Sequence, residues 1–280
     1  LEQILQDPEV DVVSIASYDD AHFAQTLAAL EAGKHVFVEK PLCRTEHELR
    51  TLKAAWRRHQ GRVKLSSNLV LRTAAVYQWL KQRIAAGDLG TPYAFDGDYL
   101  YGRLEKITAG WRGAINDYSV MHGGGIHLVD LMLWLLGERP ATVYATGNRI
   151  CTDQSTFRYS DYVAATLHCP SGMVGRITAN FGCVHRHHHV VRLFGTHATF
   201  VCDDTGPRLH LTREAATLAA PVTLPCQPAT KGALIPPFVS AILTDENLDA
   251  HTQTLFDVIS VCTACDKSLR SQAAVEVDYV

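Results

Sequence analysis

The chain has 280 residues, of which 47% are hydrophobic and 20% charged, and a formal net charge of −3. This is the composition of a globular protein of one large or two ordinary domains, without the basic footprint that nucleic-acid binding requires. The longest apolar stretch, IHLVDLMLWLLG, is too short to cross a bilayer and carries His127 and Asp130, no segment reads as a signal peptide, and eight cysteines without framework spacing point to reduced, buried thiols and a cytoplasmic location.

Residues 10–17, VDVVSIAS, form a nearly continuous β-branched run, the pattern of a strand buried on both faces of a parallel sheet. The following DAHFAQTLAALEAGK predicts a helix with Phe23, Leu27 and Leu30 on one face and Gly33 as its stop. Strand HVFVE comes next, then a helix over about 45–59 in which Thr45 and Glu48 have capping-box spacing, then strand VKLSS. This β-α-β-α-β order implies a parallel sheet with right-handed crossovers. After Asn68 the texture changes. Residues 74–90 read as one amphipathic helix with a glycine-rich end, PYAFDGDYLYG as a strand, and 103–122 as irregular and polar. GGGIHLVDLMLWLLGE reads as a glycine-rich lead-in to a helix that stops at Gly137. Strands dominate 141–213, 214–234 is loop-like, helices cover about 236–244 and 251–269, and AAVEVDYV closes the chain as a strand. The expected division is 1–68, a partial Rossmann parallel sheet of α/β type, and 69–280, an α+β domain with a large, mainly antiparallel open sheet.

Open parallel sheets bind ligands beyond the carboxyl ends of their strands. Here those ends carry SYDDAH (17–22), EKP (39–41) and SSN (66–68). Ser17, His22, Lys40 and Asn68 should therefore line one crevice, with Tyr18, Asp19, Glu39 and Pro41 beside them. A second constellation is HGGGIHLVD. Its glycines allow close backbone approach, and His127 and Asp130, at i and i+3, share a helix face. Two further patterns are weighed against their plainer readings. In HRHHH, His185, His187 and His189 would share a strand face, but three ligands in a row along one strand rarely converge on one ion. No metal is expected, and substrate contact or an exposed sheet face is the reading. The CTAC of 262–265 has no second pair and reads as packed small side chains rather than zinc or redox chemistry.

The motifs AGKHVFVEKPL, SYDDAH, NLVLR, GDLG and GGGIHLVDLMLWLLGE, followed by FGTHATF, occur in the order and spacing of a known family. By them the sequence resembles the glucose–fructose oxidoreductase/inositol dehydrogenase/rhizopine-catabolism type of NAD(P)-dependent oxidoreductases. The resemblance implies a Rossmann domain followed by an α/β domain whose open sheet pairs subunits into a homodimer or homotetramer. It implies hydride transfer between NAD or NADP and a hydroxyl-bearing carbon of a sugar-like substrate. It implies cofactor contacts from Ser17, Tyr18, Asp19, His22, Glu39, Lys40, Pro41 and Asn68. The EKP lysine maps to Lys40 and the helix histidine to His127. His127 is suited to take the hydroxyl proton near neutral pH, and Lys40 to stabilise negative charge on the oxygen. The family's aspartate four residues before that histidine is Gly123 here, with His122 as a neighbour that could compensate. Arg72, Trp111, Arg112, Tyr118 and His122 are the candidate substrate contacts. A forked arginine in the 111–118 loop would suit a carboxylate or phosphate, as on a sugar acid or nucleotide-sugar.

A dinucleotide-binding unit opens with a strand, a GxGxxG turn and a helix, with an acid some 20 residues on. The sequence shows neither, and the GGG of 123–125 follows no fitting β-α-β unit. Weak or absent NAD(H) and NADP(H) binding is the expectation for this stretch alone. It is either an incomplete product of a full enzyme or a naturally shortened relative. Three functions stay open: a sugar-type dehydrogenase, a non-catalytic sugar-binding or scaffolding relative that has lost the cofactor site, and a lyase-like glycosidase that retains its nicotinamide.

Overall fold

The computed structural model describes residues 1–224 and 231–280. After a short helix α1 (Glu2–Gln6), the first module alternates β1 (Val12–Ile15), α2 (His22–Glu31), β2 (His35–Val38), α3 (Glu46–Arg58) and β3 (Leu65–Ser67). The three strands are parallel and lie in the order β1-β2-β3. In β2 the consecutive Val36, Phe37 and Val38 are all buried, so that strand is covered on both faces. β1 departs from the expectation for 10–17, because Val13 and Ile15 are buried on one face while Ser14 between them is exposed on the other. The α3 capping box is complete: Thr45 Oγ1 accepts from the Glu48 amide at 3.2 Å, and a Glu48 carboxylate oxygen accepts from the Thr45 amide at 3.2 Å.

The buried face of α2 differs from the expected one. It runs through His22, Thr26, Ala29 and Leu30, and Phe23 and Leu27 are only partly buried at its flank. The cause is His22. Its ring lies between the carbonyls of Pro41 (2.7 Å from Nδ1) and Ser17 (3.1 Å from Nε2), which turns the helix start under the two loops.

The second module contains α4 (Ala75–Ala85), β4 (Pro92–Leu100), α5 (Glu105–Thr108), α6 (Ile126–Leu136), β5 (Thr142–Asn148), β6 (Tyr162–His168), β7 (Val174–Asn180), β8 (His188–Gly195), β9 (Thr199–Asp203), β10 (Gly206–His210), β11 (Ala220–Pro221), α7 (Ile235–Leu243), α8 (Asp249–Ser271) and β12 (Val275–Glu276). Among the described residues its nine strands are ordered β11-β10-β9-β8-β4-β7-β6-β5-β12. Only β4 and β7 pair in parallel; the other pairs are antiparallel. The fold is thus a small Rossmann-like parallel sheet followed by a large, mainly antiparallel one.

Three details depart from the sequence reading. Residues 103–122 are not simply a polar loop, because α5 and a 3₁₀ turn (Trp111–Ala114) bury Ile107, Ile115, Tyr118 and Val120. The closing strand pairs only through Val275 and Glu276. The loop-like stretch after β10 contains the short β11, and its residues 225–230 lie outside the described ones.

The last two helices return to the first module. Thr252 Oγ1 donates to the Leu65 carbonyl of β3 at 2.8 Å, Phe256 packs on Trp56 of α3 at 5.7 Å, and Phe238 of α7 packs on Phe37 of β2 at 5.7 Å. One hydrophobic core therefore runs through both modules. No helix among the described residues is long and apolar enough to cross a membrane.

Candidate active site

The loops after β1, β2 and β3 leave the sheet at one edge, and α6 points its first turn at that edge. Between them lies a cavity of about 490 Å³. Its floor is Ser17, Asp19, His22, Glu39, Lys40 and Asn68. The Lys40 ammonium donates to the carbonyl of Gly123, a residue 83 positions away in sequence. Glu39 does not hold that ammonium. Its carboxylate instead accepts from Asn68 Nδ2 at 2.7 Å, which ties the end of β2 to the end of β3.

Gly123 belongs to a single π-helical turn, Met121–Gly125, that leads into α6. π-turns recur at functional sites because the extra residue redirects the chain. Here the turn aims one carbonyl at Lys40, and His127, four residues on, lines the same cavity. A side chain at position 123 has no room: a Cβ there would lie 2.1 Å from the Tyr118 hydroxyl. Tyr118 thus fills the space beside the turn, which is a physical account of the glycine. Gly123→Ala is expected to displace either Tyr118 or the carbonyl that holds Lys40. Turnover should fall about tenfold or more and recover in part with Tyr118→Phe added. A kcat that does not change in the single variant would contradict this packing argument.

The opposite wall comes from the large sheet. The β4–β8 register sets Tyr99 against His189. Alternation places both on the helix-covered face, and His187 and Tyr101 extend the wall. The His127 ring stacks on Tyr99 at 6.2 Å and meets His189 edge-on at 5.8 Å. The rim carries Trp111, Arg112, Arg103 and Lys231. Tyr18 is exposed and stacks on Trp111 at 4.5 Å and 14°, and the Arg112 guanidinium lies over the same Trp111 ring at 4.3 Å.

The electrostatics favour uncharged imidazoles. Burial, then Lys40, His189 and His187, hold His127 well below the usual value of 6.5. Burial and neighbouring cations bring His187 down to about 4, and burial with His187 and His188 brings His189 to about 3. Burial also lowers the Lys40 ammonium from 10.5, with Asp19 opposing and Arg112 reinforcing the shift.

Several expected contacts lie elsewhere. Arg72 is turned away from the cavity into a buried ion pair with Asp130, so Asp130 serves Arg72 and not His127. Tyr118 is buried behind the glycine turn. His122 is buried with Nδ1 at 3.0 Å from Asp266 Oδ2, close enough for an ion pair but out of line for a hydrogen bond. Neither lines the cavity. Pro41 is buried and contributes its carbonyl to His22. His185 pairs with Asp204 at 2.7 Å rather than joining His187 and His189. Cys262 and Cys265 are fully buried in α8, and the described residues contain no group of three or more metal-ligating side chains. Tyr99, Tyr101 and Arg103 were not singled out by sequence. Only the inward alternation of β4 marked the first of them.

Residues 1–67 match the family profile described as "Oxidoreductase family, NAD-binding Rossmann fold", and residues 77–201 match the GFO/IDH/MocA C-terminal domain. The chain belongs to the GFO/IDH/MocA family. It is 37% identical over 153 residues to 1,5-anhydro-D-fructose reductase of Ensifer adhaerens, a stretch covering 52% of this chain and 43% of that protein. It is 30% identical over 180 residues to D-glucoside 3-dehydrogenase of Escherichia coli K12, covering 61% and 49%. The chain thus spans about half the length of these GFO/IDH/MocA relatives. A solved levoglucosan dehydrogenase in complex with NADH superposes over 100% of this chain and 83% of its own, with a TM-score of 0.85 at 21% identity. Myo-inositol 2-dehydrogenase from Lactobacillus plantarum covers 99% and 83%, with a TM-score of 0.81 at 16% identity. These two establish the shared fold.

Proposed function

We propose that this chain carries the reacting site of an NAD(P)-dependent oxidoreductase that moves hydride between nicotinamide and a hydroxyl-bearing carbon of a sugar-like substrate. The observation that carries the reading is that Lys40 and His127, delivered by separate modules, line one cavity at the carboxyl edge of a parallel sheet. The names of the curated relatives, a sugar reductase and a glucoside dehydrogenase, support it. Retention of both groups in one cavity speaks against a purely scaffolding relative.

The floor fits a nicotinamide. Asn68 Oδ1 is buried with no partner beside the Glu39–Asn68 bond, an acceptor left for the amide of a carboxamide. Ser17, Asp19, His22, Glu39 and Asn68 would hold the cofactor, which supplies the hydride acceptor or donor when bound. In the oxidation direction the neutral His127 imidazole takes the hydroxyl proton. Its Nδ1 is sealed and partnerless, so Nε2 is the nitrogen available to substrate. The Lys40 ammonium, fixed by the Gly123 carbonyl, stabilises the oxygen as it becomes negative. Tyr99, Tyr101 and the imidazoles of 187 and 189 shield the reacting oxygen from bulk water.

A pH profile follows. Burial disfavours the charged form of His127, so the base remains neutral and competent as pH falls from 7 towards 6. The acid limb of kcat/KM is expected well below 6.5, and an alkaline limb, as Lys40 deprotonates, below 10.5. An acid limb centred near 6.5 would contradict the buried base. The reading itself is tested by incubating the folded chain with a panel of sugars, sugar acids and nucleotide-sugars and NAD⁺ or NADP⁺ in a large excess that offsets the weak binding expected without a GxGxxG turn in these residues, following reduced nicotinamide. No hydride transfer from any of them would sink it. The helix-free face of the large sheet, where Asp98 holds Arg176 and Arg192 at 2.9 and 3.4 Å, is the surface through which we expect a homodimer or homotetramer to pair.

A further inference from the structure

The rim of the cavity holds a guanidinium, Arg112, that makes no ion pair among the described residues, although Asp19 across the cavity favours its charge from a distance. Arg112 is half-buried and lies 4.3 Å over the Trp111 ring, and Trp111 is itself clamped by Tyr18 at 4.5 Å. Arg103 lies 5.5 Å over Tyr101 on the same rim. Other arginines of the chain, such as Arg72, Arg176 and Arg208, each hold a carboxylate. Among the described residues Arg103 and Arg112 hold none. A half-buried guanidinium costs desolvation that a counter-ion normally offsets.

The cavity as a whole is cationic. Lys40, Arg103, Arg112 and Lys231 face two carboxylates, Asp19 and Glu39. Glu39 is already engaged by Asn68. Arg112 disfavours the charge on Lys40. The remaining wall is aromatic rings and imidazoles held neutral. Such a site is unbalanced for a neutral sugar and balanced for one that brings its own negative group.

We propose that the substrate is a sugar acid, whose carboxylate seats on Arg112, with Arg103 at the rim, while a hydroxyl-bearing carbon lies at Lys40 and His127. This rests on the dehydrogenase reading for the reacting end only. The stacked, pre-positioned guanidinium offers the planar two-donor geometry that a carboxylate matches. Trp111 and Tyr18 hold that fork in place before the substrate arrives, which reduces the ordering cost of binding.

The test is a calorimetric titration of the full chain without cofactor. The probes are D-glucuronate and D-gluconate against D-glucose, myo-inositol and D-glucose 6-phosphate. The acids are expected to bind about tenfold or more tightly than the neutral sugars, with the advantage shrinking as salt rises. Arg112→Gln, which keeps the packing on Trp111, should bring the acids down to the level of the neutral sugars, and Arg103→Gln should weaken them less. Neutral sugars binding as well as the acids, the phosphate ester binding better than both acids, no binding of either acid, or an acid preference that survives Arg112→Gln would each overturn the assignment. Hydride transfer from a neutral sugar with no acid preference would leave the oxidoreductase reading standing and remove this one. Acid binding without transfer to either nicotinamide would do the reverse.

Discussion

Lys40→Met is expected to lower turnover by about a hundred- to a thousandfold while leaving substrate and cofactor affinity little changed. The side chain keeps its length and its apolar stem, so the packing at the end of β2 is preserved. What is lost is one positive charge on a partly buried side chain of the cavity, where a charge acts more strongly on a nascent alkoxide than it would in bulk water. Lys40 is fixed before substrate arrives by its bond to the Gly123 carbonyl, so stabilisation needs no reorganisation at the moment of reaction. Glu39 and Asn68, which bind one another, are untouched, and with them the candidate cofactor contacts. Steady-state kinetics and a nicotinamide titration separate the two effects. Unchanged kcat would remove Lys40 from the chemistry. Equal loss of kcat and cofactor binding would make it a binding residue instead.

Asp130→Ala is expected to destabilise the fold by about 3–5 kcal/mol and to leave KM unaffected in whatever protein remains folded. Asp130 is fully buried, and its carboxylate accepts from Arg72 Nε at 3.0 Å on both oxygens. Arg72 also donates to Thr254 Oγ1 at 3.0 Å, and His251, beside it on α8, lies 3.0 Å from Ser66 Oγ at the end of β3. The network therefore joins α6, α8 and the parallel sheet across the module boundary. Removing the carboxylate strands a guanidinium in the core. Arg72→Met added to Asp130→Ala should recover much of the loss, because replacing both partners with apolar groups leaves no uncompensated charge. Denaturant unfolding measures both. A loss below about 1 kcal/mol in the single variant would show that the pair is better solvated than its burial implies. The same logic corrects the role of Arg72: its substitution should act on stability, not on substrate affinity.

Much of the first module was legible in the sequence. The β-branched runs, the Thr45–Glu48 capping box and the Gly33 stop are local signals, each set by backbone preference and burial within a few residues. Once the strand order is read as parallel, the three strand ends must share an edge. Ser17, Asp19, His22, Glu39, Lys40 and Asn68 therefore come together by topology alone. The helix after the glycine turn and the presence of His127 in its first turn were equally local.

What the sequence did not show depends on pairing over long separations. Arg72 looked like a ligand contact because it follows the third strand end. Only the packing of α6 against the loop that carries it brings Asp130 within reach. Tyr118 and His122 lie close to the glycines in sequence, but His122 is inside the π-turn and faces Asp266, and Tyr118 packs behind Gly123, placements that helical periodicity cannot foresee. His187 and His189 gained their place from the β4–β8 register, which sets Tyr99 opposite His189. A slip of one residue would have sent both rings to the other face.

By itself the sequence determined the two kinds of sheet, the strand-end crescent and the helix that bears His127, because these follow from short-range periodicity and capping. Tertiary structure alone decided which charges meet: Lys40 with a carbonyl 83 residues away, Arg72 with Asp130, and Arg112 with an aromatic platform and, among the described residues, no ion-pair partner. Those outcomes depend on how distant surfaces dock, and electrostatic partnership is set by distance in space rather than along the chain.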